Sequence, residues 1–500
     1  MRKGHQNGAA GEGPGDPHLD DPITAEGVAD AGDLGYAKSL KPRHISMIAI
    51  GGAIGTGLFL GAGGNLAKAG PALAFAYAIC GVFAFFVVRA LGELVVHRPS
   101  SGSFVSYARE FLGERGAFVA GWMYVLNWSS AGMADITAVA LYVHYWSMFT
   151  DVPQWVLAAI ALAIVLTINL ISVKSFGEME FWFAIVKVAA LVLFLLIGIF
   201  FLVTGEPVDG THDPGFSLIS DNGGFFPLGV LPVVLITQTV VFAYAAVEMV
   251  GVTAGETAEP EKVVPKAVNS IMWRVGIFYV GSVVMLTLLL PWTAYSANES
   301  PFVTVLSKIG VPSAGGIMNL VVLTAAMSSL NSGLYTTGRI LRSMSMAGSA
   351  PSFTARMSGS HVPYGGILLT ATVALFGVAL NAWLPEDAFA IVTNISSLGV
   401  ISTWVMIMLC HLVFVRRARE GVVHRPAFRL WASPWIELTT IAFLLAVIVM
   451  MWFDKDGPGR DTVLMLIPIA VCLTVGWYAV RGRVHRIASE SEAPPVDPLQ

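Results

Sequence analysis

Charged side chains are rare inside the long apolar stretches of this chain, and Arg89, Glu93, Asp135, Lys187 and Glu248 are among them. An ionisable group at bilayer depth is costly, so each is a functional candidate by default. Arg89 and Glu93 stand four apart, on one face of a helix, and read as a structural pair or a gate. Lys187 has no acidic residue three or four positions away, its neighbours there being Phe183, Ala184, Ala190 and Leu191. An ammonium so isolated can change its charge during a cycle and carry a coupled proton; the alternative is a lysine that snorkels to the interface. Asp135, with Thr137, Asn331 and Ser332, offers the mixture of donors and acceptors that a carboxamide side chain needs. Its alternative is a carboxylate that faces a cavity without touching cargo.

The elements that would position these groups are unusual helices. The run Gly51-Gly-Ala-Ile-Gly-Thr-Gly-Leu-Phe-Leu-Gly61 places five glycines within an apolar stretch. Each costs roughly 1 kcal/mol against alanine in a helix interior, and freed backbone groups at depth must find partners in protein, water or ligand. A broken helix is expected, whose exposed amides can receive an anionic group. A second interruption is expected around Val240–Gly251, five segments later. Paired broken helices point to two inverted repeats with a substrate site between them near midplane; close helix packing through small residues is the plainer alternative for each alone.

Composition sets the surroundings. The 500 residues are 55% hydrophobic and 12% charged, with a mean hydropathy of +0.70, more apolar surface than one soluble core would use. Stretches long enough to span, about 20 residues each, fall near 45–66, 72–96, 115–146, 153–173, 179–204, 230–254, 270–293, 313–338, 364–384, 387–415, 434–453 and 462–480. The expected fold class is therefore an all-α membrane protein of about twelve transmembrane helices. Residues 1–40 are polar, rich in Gly, Asp and Pro, and read as a disordered tail. Loop cations such as Lys41, Arg43, Arg98, Arg109, Arg115, Arg416, Arg417, Arg419, Arg481 and Arg486 gather on one side, against Lys68, Lys308, Lys455 and Arg460 on the other. The positive-inside rule then puts both termini in the cytoplasm.

Other chemistries lack support. The net charge of −4 implies no nucleic-acid surface. Cys80, Cys410 and Cys472 have neither zinc nor redox spacing and are expected to pack. No His-Glu-x-x-His, Gly-x-Ser-x-Gly or phosphate-loop motif occurs, so neither a hydrolase nor an ATP-driven pump is indicated, and no cofactor or metal is expected.

In order and spacing the glycine run, Pro99-Ser-Ser-Gly-Ser-Phe104, Phe181-Trp-Phe-Ala-Ile-Val-Lys187, Gly255-Glu-Thr-Ala-Glu-Pro-Glu-Lys262 and Leu330-Asn-Ser-Gly-Leu-Tyr-Thr-Thr-Gly-Arg339 are similar to the amino acid-polyamine-organocation superfamily, and within it to the bacterial amino acid permeases. Through His97–Glu110 and Asp135–Ala140 the chain also resembles permeases for L-asparagine. The resemblance implies a first inverted repeat over 41–204, a second over 230–417, broken helices 1 and 6, peripheral spans over 434–481 and a cytoplasmic tail over 482–500. It also implies that backbone at Gly55, Thr56 and Gly57 receives the substrate carboxylate, while carbonyls near Ala53 and Ile54 and at Phe242, Ala243 and Ala245 receive the ammonium. Phe242 matches a gating aromatic, a lipid-facing ring being the alternative. Asn331 joins Asp135 at the substrate side chain. Lys187 resembles a lysine that stands where sodium-coupled relatives hold their ion, and Glu248 matches an acidic position implicated in the proton response.

The resulting expectation is a proton-coupled importer of L-asparagine in the bacterial cell membrane, working by alternating access, with an amino acid, protons and the bilayer as partners. A permease or exchanger for another small or aromatic amino acid, a non-transporting sensor and a membrane-embedded enzyme are the alternatives. Neither terminus is long enough to look like a sensor's output domain, and an enzyme would need a convergent nucleophile or metal set.

Overall fold

The structure is a computed structural model describing residues 54–100, 103–249, 260–311, 313–454 and 458–492, with Met47 and Gly251. The expected N-terminal tail and Ala53 lie outside these residues. Among the described residues every regular element is helical.

The first broken span begins with a bend at Ile54 and Gly55, then α1 (Thr56–Phe59) and α2 (Gly61–Ala69). Between them Leu60, at φ −112° and ψ −49°, stays in the right-handed region while widening the turn. Gly70 at φ +64° then turns the chain through a 3-10 turn that carries Pro71, and α3 (Leu73–His97) follows. Proline at a helix entrance loses no intrahelical hydrogen bond. α3 ends at Arg98, which is extended (φ −151°) before Pro99, as the clash of a proline ring with the preceding residue requires.

α4 (Ser103–His144) contains a break at Gly113 (φ +79°). α5 (Gln154–Ile171) and α6 (Val173–Thr204) come next. The sixth span is broken as its sequence implies: α7 (Val230–Leu235) and α8 (Thr237–Ala243) give way to a turn over residues 244–248, where Ala246 takes φ +75°. α9 (Pro260–Arg274) runs through a π segment (Val275–Gly281) into α10 (Ser282–Leu289). The remaining helices are α11 (Pro301–Lys308), α12 (Ala314–Met346), α13 (Tyr364–Trp383), α14 (Ala388–Arg419), α15 (Trp435–Met451), α16 (Gly459–Leu464) and α17 (Leu466–Glu492).

Among the described residues, eight helical runs are long and apolar enough to cross a membrane, and Val230–Ala243 and Trp435–Met451 are shorter apolar runs. The chain is thus a multi-pass helical membrane protein. The first and sixth spans fall below full length because their helices are interrupted, the first in a glycine-rich stretch and the second at the turn through Ala246. α4 lies at the centre, packed along α12 and α14 and also against α5 and α13. In the last run only 6% of the apolar window is buried, against 67% in the run of α14, which makes α17 the most peripheral. Leu193, Leu196, Ile199, Phe200 and Val203 on α6 are exposed, an apolar face that suits lipid rather than water. Cys80 and Cys410 are buried and Cys472 is exposed, all with free thiols.

The expected pairing of Arg89 with Glu93 is replaced by a larger network. Arg89 donates to Asn269 Oδ1 (2.7 Å) and to the Arg429 carbonyl (3.1 Å), and its guanidinium lies 3.7 Å over the Phe428 ring. Glu93, fully buried, instead accepts from Arg425 Nε (2.5 Å) and the Leu430 amide (2.5 Å) and contacts His411 Nε2 (3.0 Å). The other ring nitrogen of His411 lies 2.8 Å from Glu437 Oε1. This cluster ties α3, α14, α15 and the α14–α15 connection together, because a buried charge needs several partners at once.

Candidate functional site

The two broken helices meet backbone to backbone. A Cβ on Gly57 would lie 2.5 Å from Ala243 Cα and 3.0 Å from Ala243 N, so only glycine permits this approach of α1 to α8. At the same place carbonyl groups released by the breaks are satisfied by tyrosines. The Tyr77 hydroxyl donates to the Gly57 carbonyl (3.3 Å) and that of Tyr279 to the Ala243 carbonyl (3.1 Å). Tyr244, in the turn itself, donates to the Tyr77 carbonyl (2.7 Å) and stacks on Tyr279 at 4.7 Å between ring centroids. Backbone groups at membrane depth need such partners.

Around the first break stands a buried polar group. Thr56 Oγ1 donates to Asp135 Oδ1 at 2.8 Å, joining α1 to the middle of α4. Asp135 is 1% exposed, and its Oδ2 has no hydrogen-bond partner among the described residues. α12 completes the surroundings through Ser329, whose Oγ would lie 3.6 Å from a Cβ on Gly55. By helix geometry the first amides of α1 have no acceptor within the helix. The arrangement therefore offers donors from backbone and a carboxylate acceptor within one turn of helix.

The neighbouring residue on α12 serves a second polar group. Lys187 Nζ donates to Ser328 Oγ (2.9 Å), Ser328 Oγ donates to Glu180 Oε1 (2.5 Å), and the ammonium lies 3.9 Å from that same oxygen, with both charged side chains fully buried. Lys187 is thus neither snorkelling nor without an acid on its own helix. Glu180 precedes it by seven residues, two turns along one face, a spacing that a search at three and four positions passes over. Among the described residues Asp135 is a second carboxylate near enough to act on the ammonium.

The remaining expected residues fall as follows. Phe242 is buried at 6% exposure, which removes the lipid-facing alternative. Its carbonyl accepts from the Ala245 amide (2.9 Å), and that of Ala243 holds Tyr279, so these two acceptors are partly engaged. Asn331 is paired with Asn169 of α5, whose Nδ2 donates to its Oδ1 at 2.6 Å, and Thr137 accepts from Asn381 of α13 at 2.7 Å. These two residues are held in separate pairs rather than at the Thr56–Asp135 contact. Ser332, next to Asn331 on α12, is buried. Glu248 is fully buried in the turn after α8. Tyr124 and Trp404 lie near it. Sequence reasoning missed Glu180, Ser328, Ser329, Tyr77 and Tyr279; only Glu180 carried a signal, in its two-turn spacing.

Among the described residues no group of three His, Cys, Asp or Glu side chains could hold a metal ion. What the geometry provides is binding chemistry: paired polar groups, closely apposed backbone and buried charge.

Comparison with known proteins gives the family. The profile of a family described as amino acid permease matches residues 44–490. The chain is 70% identical over 467 residues to an L-asparagine permease of Streptomyces coelicolor, covering 93% of this chain and 95% of that protein. It is 58% identical over 468 residues to the L-asparagine permease of Escherichia coli K12, covering 94% and 93%. It is 59% identical over 458 residues to L-asparagine permease 1 of Mycobacterium tuberculosis H37Rv, covering 92% and 93%. With a family profile spanning nearly its whole length and relatives of this similarity, the chain belongs to the amino acid permease family of membrane transporters.

Proposed function

We propose that this permease imports L-asparagine together with protons by alternating access. The observation that carries the reading is the buried contact of Thr56 with Asp135 at the break of the first span. It supports a site in which the substrate carboxylate meets the amides of Gly55, Thr56 and Gly57 and the carboxamide meets the open Oδ2 of Asp135. The ammonium is received by carbonyls of Ala53, Ile54, Phe242, Ala243 and Ala245, and Asn331 bounds the side-chain end. Both ends of a zwitterion must be paired for it to leave water, because either one left alone costs several kcal/mol. The relatives named L-asparagine permease support asparagine over other amino acids.

The architecture we propose has twelve spans in two inverted repeats, 41–204 and 230–417, with peripheral spans over 434–481 and cytoplasmic tails over 1–40 and 482–500. It sits in the bacterial cell membrane with both termini inside. Rocking of one repeat against the other opens the site alternately, and Lys187 and Glu248 carry the proton response. Uptake of labelled asparagine into proteoliposomes, competed by a panel of unlabelled amino acids, tests the substrate. Asparagine should compete most strongly, and equal competition by an aromatic amino acid would overturn the assignment.

A further inference from the structure

We infer that the slot between α4 and α17 holds an acyl chain of an anionic phospholipid, with the lipid phosphate at Arg483. The slot has a volume of about 800 Å³ and a largely apolar lining, to which α4 contributes Trp122, Leu126 and Met133 and α17 contributes Ile469, Leu473 and Val480. α17 is anchored near its basic end. There the Trp477 ring meets Phe118 of α4 edge-on at 5.7 Å between centroids, and Arg483 donates to the carbonyls of Gly348 (2.7 Å) and Ala350 (2.7 Å). Apart from these contacts the two helices leave the slot between them.

Position and charge select the occupant. By helical spacing Ile469, Leu473 and Val480 share one face of α17, whereas the exposed Ile467, Val471 and Val475 lie on the opposite face. A second copy of the chain would cover that outer face and could not enter behind the helix; a single hydrocarbon chain can. An apolar space of this kind does not hold water, and in a bilayer the available filler is lipid. From Ile469 to Arg483 the helix runs about 21 Å at 1.5 Å per residue, long enough for a chain that crosses one leaflet, about 15 Å of the ~30 Å hydrocarbon layer. At the mouth, α17 carries Arg481, Arg483 and Arg486 and has no acidic residue between Leu466 and Ser489, and the Arg115 guanidinium lies 5.9 Å from the Trp477 ring. Basic pockets between spans attract anionic head groups. Arg483 gives only part of its donor fork to the two carbonyls, and the remainder suits a phosphate.

The test uses the full-length protein in detergent, with phosphatidylglycerol and phosphatidylethanolamine of identical chains as probes. Cys472 lines the slot and is exposed, whereas Cys80 and Cys410 are buried, so labelling by a maleimide reports occupancy. Phosphatidylglycerol should slow that labelling severalfold and stay on the protein as a single adduct in native mass spectrometry, while phosphatidylethanolamine should do neither. Equal effects of the two lipids, or no effect of either, would overturn the inference, as would protection that follows protein concentration rather than lipid, the mark of a second copy. Leu473→Trp, which fills the slot, should lose the bound phosphatidylglycerol. Arg483→Gln should lose the preference between the lipids, and Arg483→Lys, which keeps the charge, should retain it. Phosphatidylglycerol still bound to Leu473→Trp, or an unchanged preference in Arg483→Gln, would overturn the inference as well. The wild-type comparison needs no substitution and decides alone if a variant fails to fold.

Discussion

Replacing Gly57 by alanine adds one methyl group where α1 touches α8. The new Cβ would sit 2.5 Å from Ala243 Cα, and ordinary contact begins near 3.4 Å, so the helices must separate by 3.4 − 2.5 = 0.9 Å along that line. The obstructing atoms are backbone, which cannot rotate away. Overpacking of this kind costs roughly 1–3 kcal/mol, partly offset by about 0.5–1 kcal/mol from replacing glycine in a helix. The net destabilisation is on the order of 1–2 kcal/mol. Function should suffer more than stability, because a displacement of about 1 Å in a binding constellation can cost about 10²-fold. Gly55→Ala is the control: its Cβ meets Ser329 Oγ at 3.6 Å, an ordinary contact, and its backbone at φ −131° accepts alanine. Thermal unfolding in detergent should therefore separate the two variants, with Gly57→Ala the more damaged, and initial asparagine uptake by Gly57→Ala should fall below wild type. If Gly57→Ala matched wild type in both assays, the apposition of the broken helices would be wrong.

Three further outcomes follow from the buried groups. Lys187→Met alone leaves Glu180 buried without its cation and should lose about 3–5 kcal/mol of stability; Lys187→Met with Glu180→Gln should regain most of it in the same unfolding assay, and additive losses would contradict the pairing. Glu93→Ala strips partners from Arg425, His411 and the Leu430 amide together, so a loss of several kcal/mol is expected, against little change for Glu420→Ala, whose pair with Arg416 is exposed. Asp135→Ala should alter the order in which asparagine, glutamine and aromatic amino acids compete for uptake more than it lowers yield, and an unaltered order would remove Asp135 from the specificity site.

The first broken helix was legible in the sequence because its signal is local. Glycine content in 51–61 disfavours a continuous helix whatever surrounds it, whereas Val240–Gly251 holds a single glycine and was legible only as the counterpart of the first break five segments later. Asp135, Lys187 and Glu248 were legible for a similar reason, being charges in apolar runs. Their partners were less so. Ser328 and Tyr279 become site residues only when distant helices pack, and nothing in an isolated serine or tyrosine marks it. Glu180 lay on the correct face but two turns away, beyond the spacing at which side chains on one helix touch directly. Glu93 shows the opposite error: a partner at ideal helical spacing, Arg89, is drawn off to Asn269 while Arg425, more than three hundred residues on, takes its place.

The central claim is import of asparagine driven by protons, and accumulation measures it most directly. Purified protein in proteoliposomes with an alkaline interior should concentrate labelled L-asparagine above the external level, and a protonophore should return it to equilibrium. Asparagine uptake that only equilibrates, or that is indifferent to the pH difference, would contradict the account.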